Sequence, residues 1–163
     1  MAEPIRTVTV LVGSPALSAI LSMTLAGAPS LRVRPFESQI ALTAYLRLAP
    51  ADLVVTDFDS VASRADRLAE DLRNDRGIHS RDLQIIALAS ALTGEAKAAS
   101  IHAGIDEIIM KPMSPKYLLE RVLARLARRT AQHVRERTSL RRMDWSGRGD
   151  NVVPLFRREI API

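Results

Sequence analysis

The feature that most constrains the fold is a fivefold alternation of short apolar runs with longer amphipathic segments. The apolar runs, read as strands, cover residues 8–12, 31–36, 51–57, 83–90 and 106–110. Each is followed by a segment of helical character, at residues 16–27, 37–49, 61–75, 93–104 and from 115 onward. Strict strand–helix alternation predicts a parallel sheet, because parallel strands need a crossover connection that a helix supplies.

The fourth apolar run indicates that the helices cover both faces of this sheet. LQIIALAS, residues 83–90, is almost entirely apolar, which is typical of a strand buried on two sides. We therefore predict an α/β fold: a five-stranded, doubly wound parallel sheet in a (βα)5 flavodoxin-like three-layer sandwich. Pro35 and the alternating pattern of residues 31–36 favour an edge position for the second strand.

Local signals support the predicted helices. Pro15 suits a first turn, Thr93 and Ser114 are capping residues, and Gly104 is placed to end a helix. The second helix has apolar residues at helical spacing, namely Ile40, Ala41, Ala44, Tyr45 and Leu48. The last helix has a stripe that is expected to pack on the sheet, formed by Tyr117, Leu118, Val122, Leu123 and Leu126.

Charge divides the chain unevenly. Residues 1–115 carry 11 basic and 13 acidic side chains, whereas residues 116–163 carry 12 basic and 5 acidic ones. This asymmetry predicts a near-neutral globular domain over residues 1–127, followed at residues 128–163 by an arginine-rich helical extension and a flexible tail. A turn-like break is expected at DWSGRGD, residues 144–150.

Several function classes are disfavoured by what the sequence lacks. It contains no cysteine, so thiolate chemistry and disulfides are excluded, and its three histidines show no metal-ligand spacing. It has no secretory signal pattern and no apolar run of membrane-spanning length, which favours a cytoplasmic protein without membrane contact. No general base or glycine-rich phosphate loop is visible, so the chain is not expected to be an enzyme.

Three polar residues lie at the predicted carboxyl ends of strands. Asp57 ends the third strand, Ser90 follows the fourth and Lys111 follows the fifth. In open parallel sheets, functional groups gather at this edge. A carboxylate, a hydroxyl and an ammonium group suit phosphoryl chemistry, with Asp57 as nucleophile and the other two binding phosphoryl oxygens.

These motifs resemble the receiver domain of two-component response regulators. ADLVVTD, IIALAS and AGIDEIIMKP are similar to that family's third, fourth and fifth strands over about residues 5–127. The resemblance implies that Asp57 is the phosphoacceptor, Ser90 the switch hydroxyl and Lys111 the family lysine, with a cis bond before Pro112. It also implies a histidine kinase or phosphotransfer protein as partner, a target docked on the face of helix four, strand five and helix five, and homodimerisation through the last helix.

The chain also departs from the family pattern. Receivers carry two adjacent acids after the first strand that help to hold Mg²⁺, and Val12 and Gly13 stand there instead. Mg²⁺ prefers oxygen ligands, so ordinary binding is not expected; Asp57 remains a candidate ligand, and Asp59 is either a substitute ligand or a solvated loop acid. Ile108 replaces the family's switch aromatic residue. We therefore expect an atypical, stand-alone receiver. Asp57 either accepts a phosphoryl group through weakened Mg²⁺-dependent transfer, or it is no longer phosphorylated and simply forms an ion pair with Lys111.

The basic extension leaves an alternative function open. Arg141 and Arg142 could contact the phosphates of an anionic ligand, and the neighbouring Trp145 could stack on a base. This tail resembles the arginine-rich tails with which some response-regulator-like proteins bind cyclic di-GMP. The alternative is thus a phosphorylation-independent effector that binds cyclic di-GMP or nucleic acid. A solvated helix, or a protein-docking segment that includes VVPLF at residues 152–156, also fits the pattern.

Overall fold

The structure, a computed structural model, describes residues 4–60 and 64–150, without the side chains of residues 133 and 136–150. Its strands are β1 (Arg6–Leu11), β2 (Leu31–Phe36), β3 (Leu53–Asp57), β4 (Gln84–Ala89) and β5 (Glu107–Met110). Its helices are α1 (Pro15–Ala26), α2 (Gln39–Leu48), α3 (Ala65–Asn74), α4 (Gly94–Ala103) and α5 (Pro115–Asp150). Strands and helices alternate throughout, as the sequence predicts.

The five strands form one parallel sheet in the order β2-β1-β3-β4-β5. The chain starts in β1, builds outward to the β2 edge and then crosses to the other side through β3. The register places Val10 beside Val55 and Asp57 beside Leu88. The change of direction therefore lies between β1 and β3, the position where ligands of open α/β sheets usually bind.

Two aliphatic cores lie on opposite faces of the sheet and complete the three layers. One contains buried residues of α1 and α5 packed on strand residues such as Val10 and Val55. The other contains buried residues of α2, α3 and α4 packed on residues such as Val54 and Ile85. Consecutive residues of β3 alternate between the two cores, so this strand must be apolar on both sides until its last residues.

Most helix boundaries follow from local chemistry. The hydroxyl oxygens of Ser14, Thr93 and Ser114 each accept a backbone N–H from the first turn of the helix that follows. Helix α4 ends at Gly104, whose φ of 88° lies in the left-handed region that glycine adopts without a Cβ penalty. The Lys111–Pro112 bond is cis, as predicted.

The helix predicted over residues 37–49 forms as α2, although Ile40 and Leu48 are exposed and the helix packs Leu42 and Leu46 on the sheet. Two local predictions are wrong, and both concern α5. In α5, Tyr117 and Leu123 lie at the margin of the packed stripe and are largely exposed. The backbone at residues 144–150 continues α5 instead of breaking it, since Gly147 and Gly149 disfavour a helix by only about 1 kcal/mol each.

The chain divides into two units, Met1–Leu126 and Ala127–Ile163. Within the second unit, the backbone is helical from Ala127 to Asp150. The predicted flexible tail and the VVPLF run lie outside the described residues. No helix among the described residues is both long enough and apolar enough to cross a membrane.

Candidate functional site

Asp57 is a buried carboxylate at the carboxyl end of the central strand. All five residues of β3 are buried, and Asp57 is only 5% exposed. Its Oδ2 accepts the backbone N–H of Gly13 at 2.9 Å, and its Oδ1 accepts from the Lys111 Nζ at 3.1 Å. Burial of a carboxylate is costly unless it is paired and hydrogen-bonded, and here both oxygens have donors.

Lys111 joins two carboxylates. It follows β5, and its backbone N–H donates to Ala89 O at 2.7 Å, which fixes its backbone beside β4. Its Nζ lies 3.1 Å from Asp57 Oδ1 and 3.2 Å from Asp59 Oδ2. Burial alone would lower the pKa of Lys111, but the hydrogen bonds and charges of the two aspartates outweigh it and raise that pKa above its ordinary value.

Ser90 contacts Asp59 instead of Asp57. Its backbone N–H donates to Asp59 Oδ2 at 2.6 Å, and its hydroxyl donates to the same carboxylate. Partial burial would raise the pKa of Asp59, but the hydrogen bonds from Ser90 and the bond and charge of Lys111 lower it below its ordinary value. The predicted trio therefore does meet in one crevice, with Asp59 as a fourth member that separates Ser90 from Asp57 in the hydrogen-bond network.

The shifted pKa values of Asp59 and Lys111 set the pH range over which this network is intact. A lowered carboxyl pKa means that the contacts of Asp59 stabilise the fold fully above its ordinary pKa and are lost as pH falls through the lowered value. A raised amine pKa means that the contacts of Lys111 are complete below its ordinary pKa and are lost as pH rises through the raised value. The network is thus complete across the whole neutral range.

The donor set at this crevice does not fit Mg²⁺. The ion prefers near-octahedral oxygen coordination, usually with at least one or two carboxylates free to bind it. Val12 and Gly13 contribute no side-chain oxygen, and both available carboxylates are already bound to Lys111. Among the described residues, no group of three or more His, Cys, Asp or Glu side chains could hold a metal ion.

Gly13 donates its N–H to the site, a contact that is not evident from the sequence, where the residue marks only a missing acid. A Cβ at this position would lie 2.9 Å from the Ser60 Oγ and 3.7 Å from Asp57 Oδ2. The loop after β1 therefore lies against the loop after β3, and its free N–H reaches the Asp57 carboxylate. A glycine directly after a buried strand signals such a close approach, although it does not identify the partner.

Ile108, Arg141 and Arg142 are the remaining predicted residues. Ile108 is half-buried and packs against the core that contains α2, α3 and α4. Arg141 and Arg142 belong to the helical backbone of the second unit, and their side chains lie outside the described residues.

The geometry can be compared with known proteins. No protein-family model matches the chain, and no curated protein matches it. A receiver domain protein from Methanospirillum hungatei JF-1 superposes with a TM-score of 0.70 at 19% identity, over 78% of this chain and 98% of that chain. This chain has the receiver-domain fold.

Other solved structures with this fold agree. A response regulator from Thermotoga maritima matches with a TM-score of 0.64 at 23% identity, over 76% of this chain and 98% of its own. A putative response regulator from Chloroflexus aurantiacus J-10-fl matches with a TM-score of 0.66 at 23% identity, over the same shares of the two chains. The shared receiver fold accounts for most of Met1–Leu126, the unit that holds Asp57, Asp59, Ser90 and Lys111.

Proposed function

We propose that this chain acts as an atypical receiver in two-component signalling, a cytoplasmic signalling module and not an enzyme. Asp57 is the candidate phosphoacceptor, and a histidine kinase or phosphotransfer protein is the phosphoryl donor. The observation that carries the proposal is the buried Asp57 carboxylate held 3.1 Å from the Lys111 ammonium, at the switch point of a receiver-fold sheet.

Phosphotransfer to Asp57 is expected to be slow. A receiver lowers the barrier by neutralising the charge of the incoming phosphoryl group, largely with a divalent ion. Here Asp57, Asp59 and Lys111 together carry one net negative charge, and the donor set does not favour a metal. Both oxygens of Asp57 are also engaged as hydrogen-bond acceptors, which reduces the availability of either one as a nucleophile.

The output is proposed to be protein docking through α4, β5 and α5. A surface cavity of about 280 Å³ lies between α4 and β5, and Ile101, Ile108 and Met110 are among its lining residues. Ile101 and Met110 are exposed apolar side chains, the kind of surface that protein partners cover. A second copy of the chain, docked through α5, is an alternative partner on the same face.

A second candidate function belongs to the arginine-rich helix. The backbone is helical through Arg128, Arg129, Arg135 and beyond, which sets these cations along one rigid element. Such an arm suits a phosphorylation-independent effector that binds cyclic di-GMP or nucleic acid. Calorimetric titration with each ligand tests this candidate, which requires binding that is lost in the Arg141→Ala/Arg142→Ala variant and is weakened by salt.

The main proposal predicts a slow, site-specific phosphorylation. Incubation with acetyl phosphate, with and without Mg²⁺, is expected to add one phosphoryl group to the intact mass, and Mg²⁺ is expected to change the rate little. The gain should disappear in Asp57→Asn and persist in Asp66→Asn, because Asp66 is paired with Arg64 at the start of α3 and is not part of the Asp57 network. A wild-type protein that gains no mass would remove Asp57 as phosphoacceptor and leave only the docking and effector functions.

A further inference from the structure

The Asp59 carboxylate occupies a complete set of anion donors. It accepts the backbone N–H of Ser90 at 2.6 Å, the hydroxyl of Ser90, and the ammonium of Lys111 at 3.2 Å. These three donors come from two different strand ends, and they converge on one negatively charged group. Backbone N–H groups at strand or helix ends combined with a lysine are a common way for proteins to bind phosphate and similar anions.

Asp59 and Asp57 differ in how tightly they are held. The side chain of Asp57 is 8% exposed and is bound on both oxygens, so it cannot leave the crevice without losing buried contacts. The side chain of Asp59 is 34% exposed and lies in the loop after β3. Asp59 can therefore turn towards solvent at much lower cost than Asp57 can.

Two loops approach closely where Ser60 lies beside Gly13. A Cβ on residue 13 would lie 2.9 Å from the Ser60 hydroxyl oxygen and 3.3 Å from the Ser60 Cβ, so a side chain at position 13 would require Ser60 to move. Asp59 immediately precedes Ser60 in the same loop, where its carboxylate contacts the Ser90 N–H and the Lys111 ammonium.

We propose that Asp59 is a built-in anion: its carboxylate fills the donor site of Ser90 and Lys111 that an external tetrahedral oxyanion would otherwise bind. This inference concerns the same crevice as the proposed function and rests on it for its biological meaning. In the resting protein the crevice is already occupied, and a phosphate or phosphoryl group gains these donors only after Asp59 swings out. Asp59 thereby sets how readily the site responds to an anionic input.

Titration with inorganic phosphate tests the built-in anion directly. The backbone amide signal of Ser90 is followed by ¹⁵N–¹H NMR in the wild type and in Asp59→Ala. Phosphate is expected to bind at least about tenfold more tightly to Asp59→Ala, because the competing carboxylate and its like-charge repulsion are both gone. The Ser90 amide should shift in the variant at phosphate concentrations that leave the wild-type signal unmoved.

Two further variants make the result specific. Asp66→Ala removes the same charge from the ion pair with Arg64 at the start of α3, and its phosphate affinity is expected to equal that of the wild type. Asp59→Asn keeps the side-chain shape without the charge, and its phosphate affinity should lie between those of the wild type and Asp59→Ala. This variant supplies the measurement if Asp59→Ala does not fold. Equal affinities of the wild type and Asp59→Ala, or an equal gain in Asp66→Ala, would overturn the proposal.

This titration is independent of phosphotransfer to Asp57. Phosphate binding forms no bond to Asp57, so the expected gain remains even if acetyl phosphate never modifies the protein. Conversely, modification of Asp57 with no effect of Asp59→Ala on phosphate binding would leave the proposed function standing and refute the built-in anion.

Discussion

Replacement of Lys111 with methionine is expected to destabilise the protein by about 3 kcal/mol, since it leaves a buried carboxylate without its counter-ion. Asp57 is 5% exposed and, of the two donors described above, would keep the Gly13 N–H alone. Asp59 loses the same cation but is a third exposed, so water can replace that contact. The loss therefore arises mainly from Asp57. Urea unfolding at neutral pH measures it as a lower free energy of unfolding with an unchanged slope.

A second substitution separates the charge effect from the loss of lysine packing. Asp57→Asn in the Lys111→Met background removes the uncompensated charge, and we expect it to recover most of the lost stability. Lys97→Met, an exposed lysine of α4, should change the free energy of unfolding by less than about 0.5 kcal/mol. If Lys111→Met is as stable as the wild type, the pair with Asp57 contributes no net stability and the crevice is more hydrated than its burial indicates.

The site residues that sequence could predict are those fixed by sheet topology. Asp57 ends β3 and Lys111 follows β5. Because both strands belong to one parallel sheet, their carboxyl ends lie at the same edge of that sheet. The contact of Ser90 with Asp59 is different, because it depends on the backbone path of residues 58–60 in a loop. No periodicity records that path, and Asp59 could be read equally well as a metal ligand or as a solvated acid.

Helix α2 shows the same limit for the fold. Its sequence has two apolar faces, one with Ile40 and Leu48 and one with Leu42 and Leu46, and helical spacing fits both. The choice is made by the shape of the sheet surface that the helix covers, a tertiary property. Ile40 and Leu48 are exposed because the helix presents Leu42 and Leu46 to the core instead.

Polar contacts between residues far apart in the chain also cannot be predicted from the sequence. Arg73 of α3 donates to the carbonyls of Leu83 and Gly104 and to the Asp106 carboxylate, and it thereby joins the starts of β4 and β5. Nothing in its surroundings distinguishes it from the neighbouring surface arginines before the strands are assembled. Fold class follows from the alternation of apolar runs, whereas such contacts follow from the completed fold.

Truncation of Leu118 to alanine is the second large expected effect, at about 3 kcal/mol of lost stability. Leu118 is fully buried and belongs to the core formed with α1 and the sheet. Removing its isobutyl group leaves a cavity that the surrounding β-branched strand residues cannot fill by rotamer changes. For a chain of this size, each kcal/mol corresponds to about 2–4 °C in the melting temperature, so calorimetry should show a fall of roughly 6–12 °C.

Leu123 on the same helix is the matched control. It is 38% exposed, whereas Leu118 is fully buried. Leu123→Ala should therefore cost less than about 1 kcal/mol, although the chemical change is identical. Equal losses in the two variants would mean that α5 is not packed on the sheet as described. The contrast tests the three-layer architecture directly, because a helix packed on the sheet as described buries Leu118 fully and leaves Leu123 partly exposed.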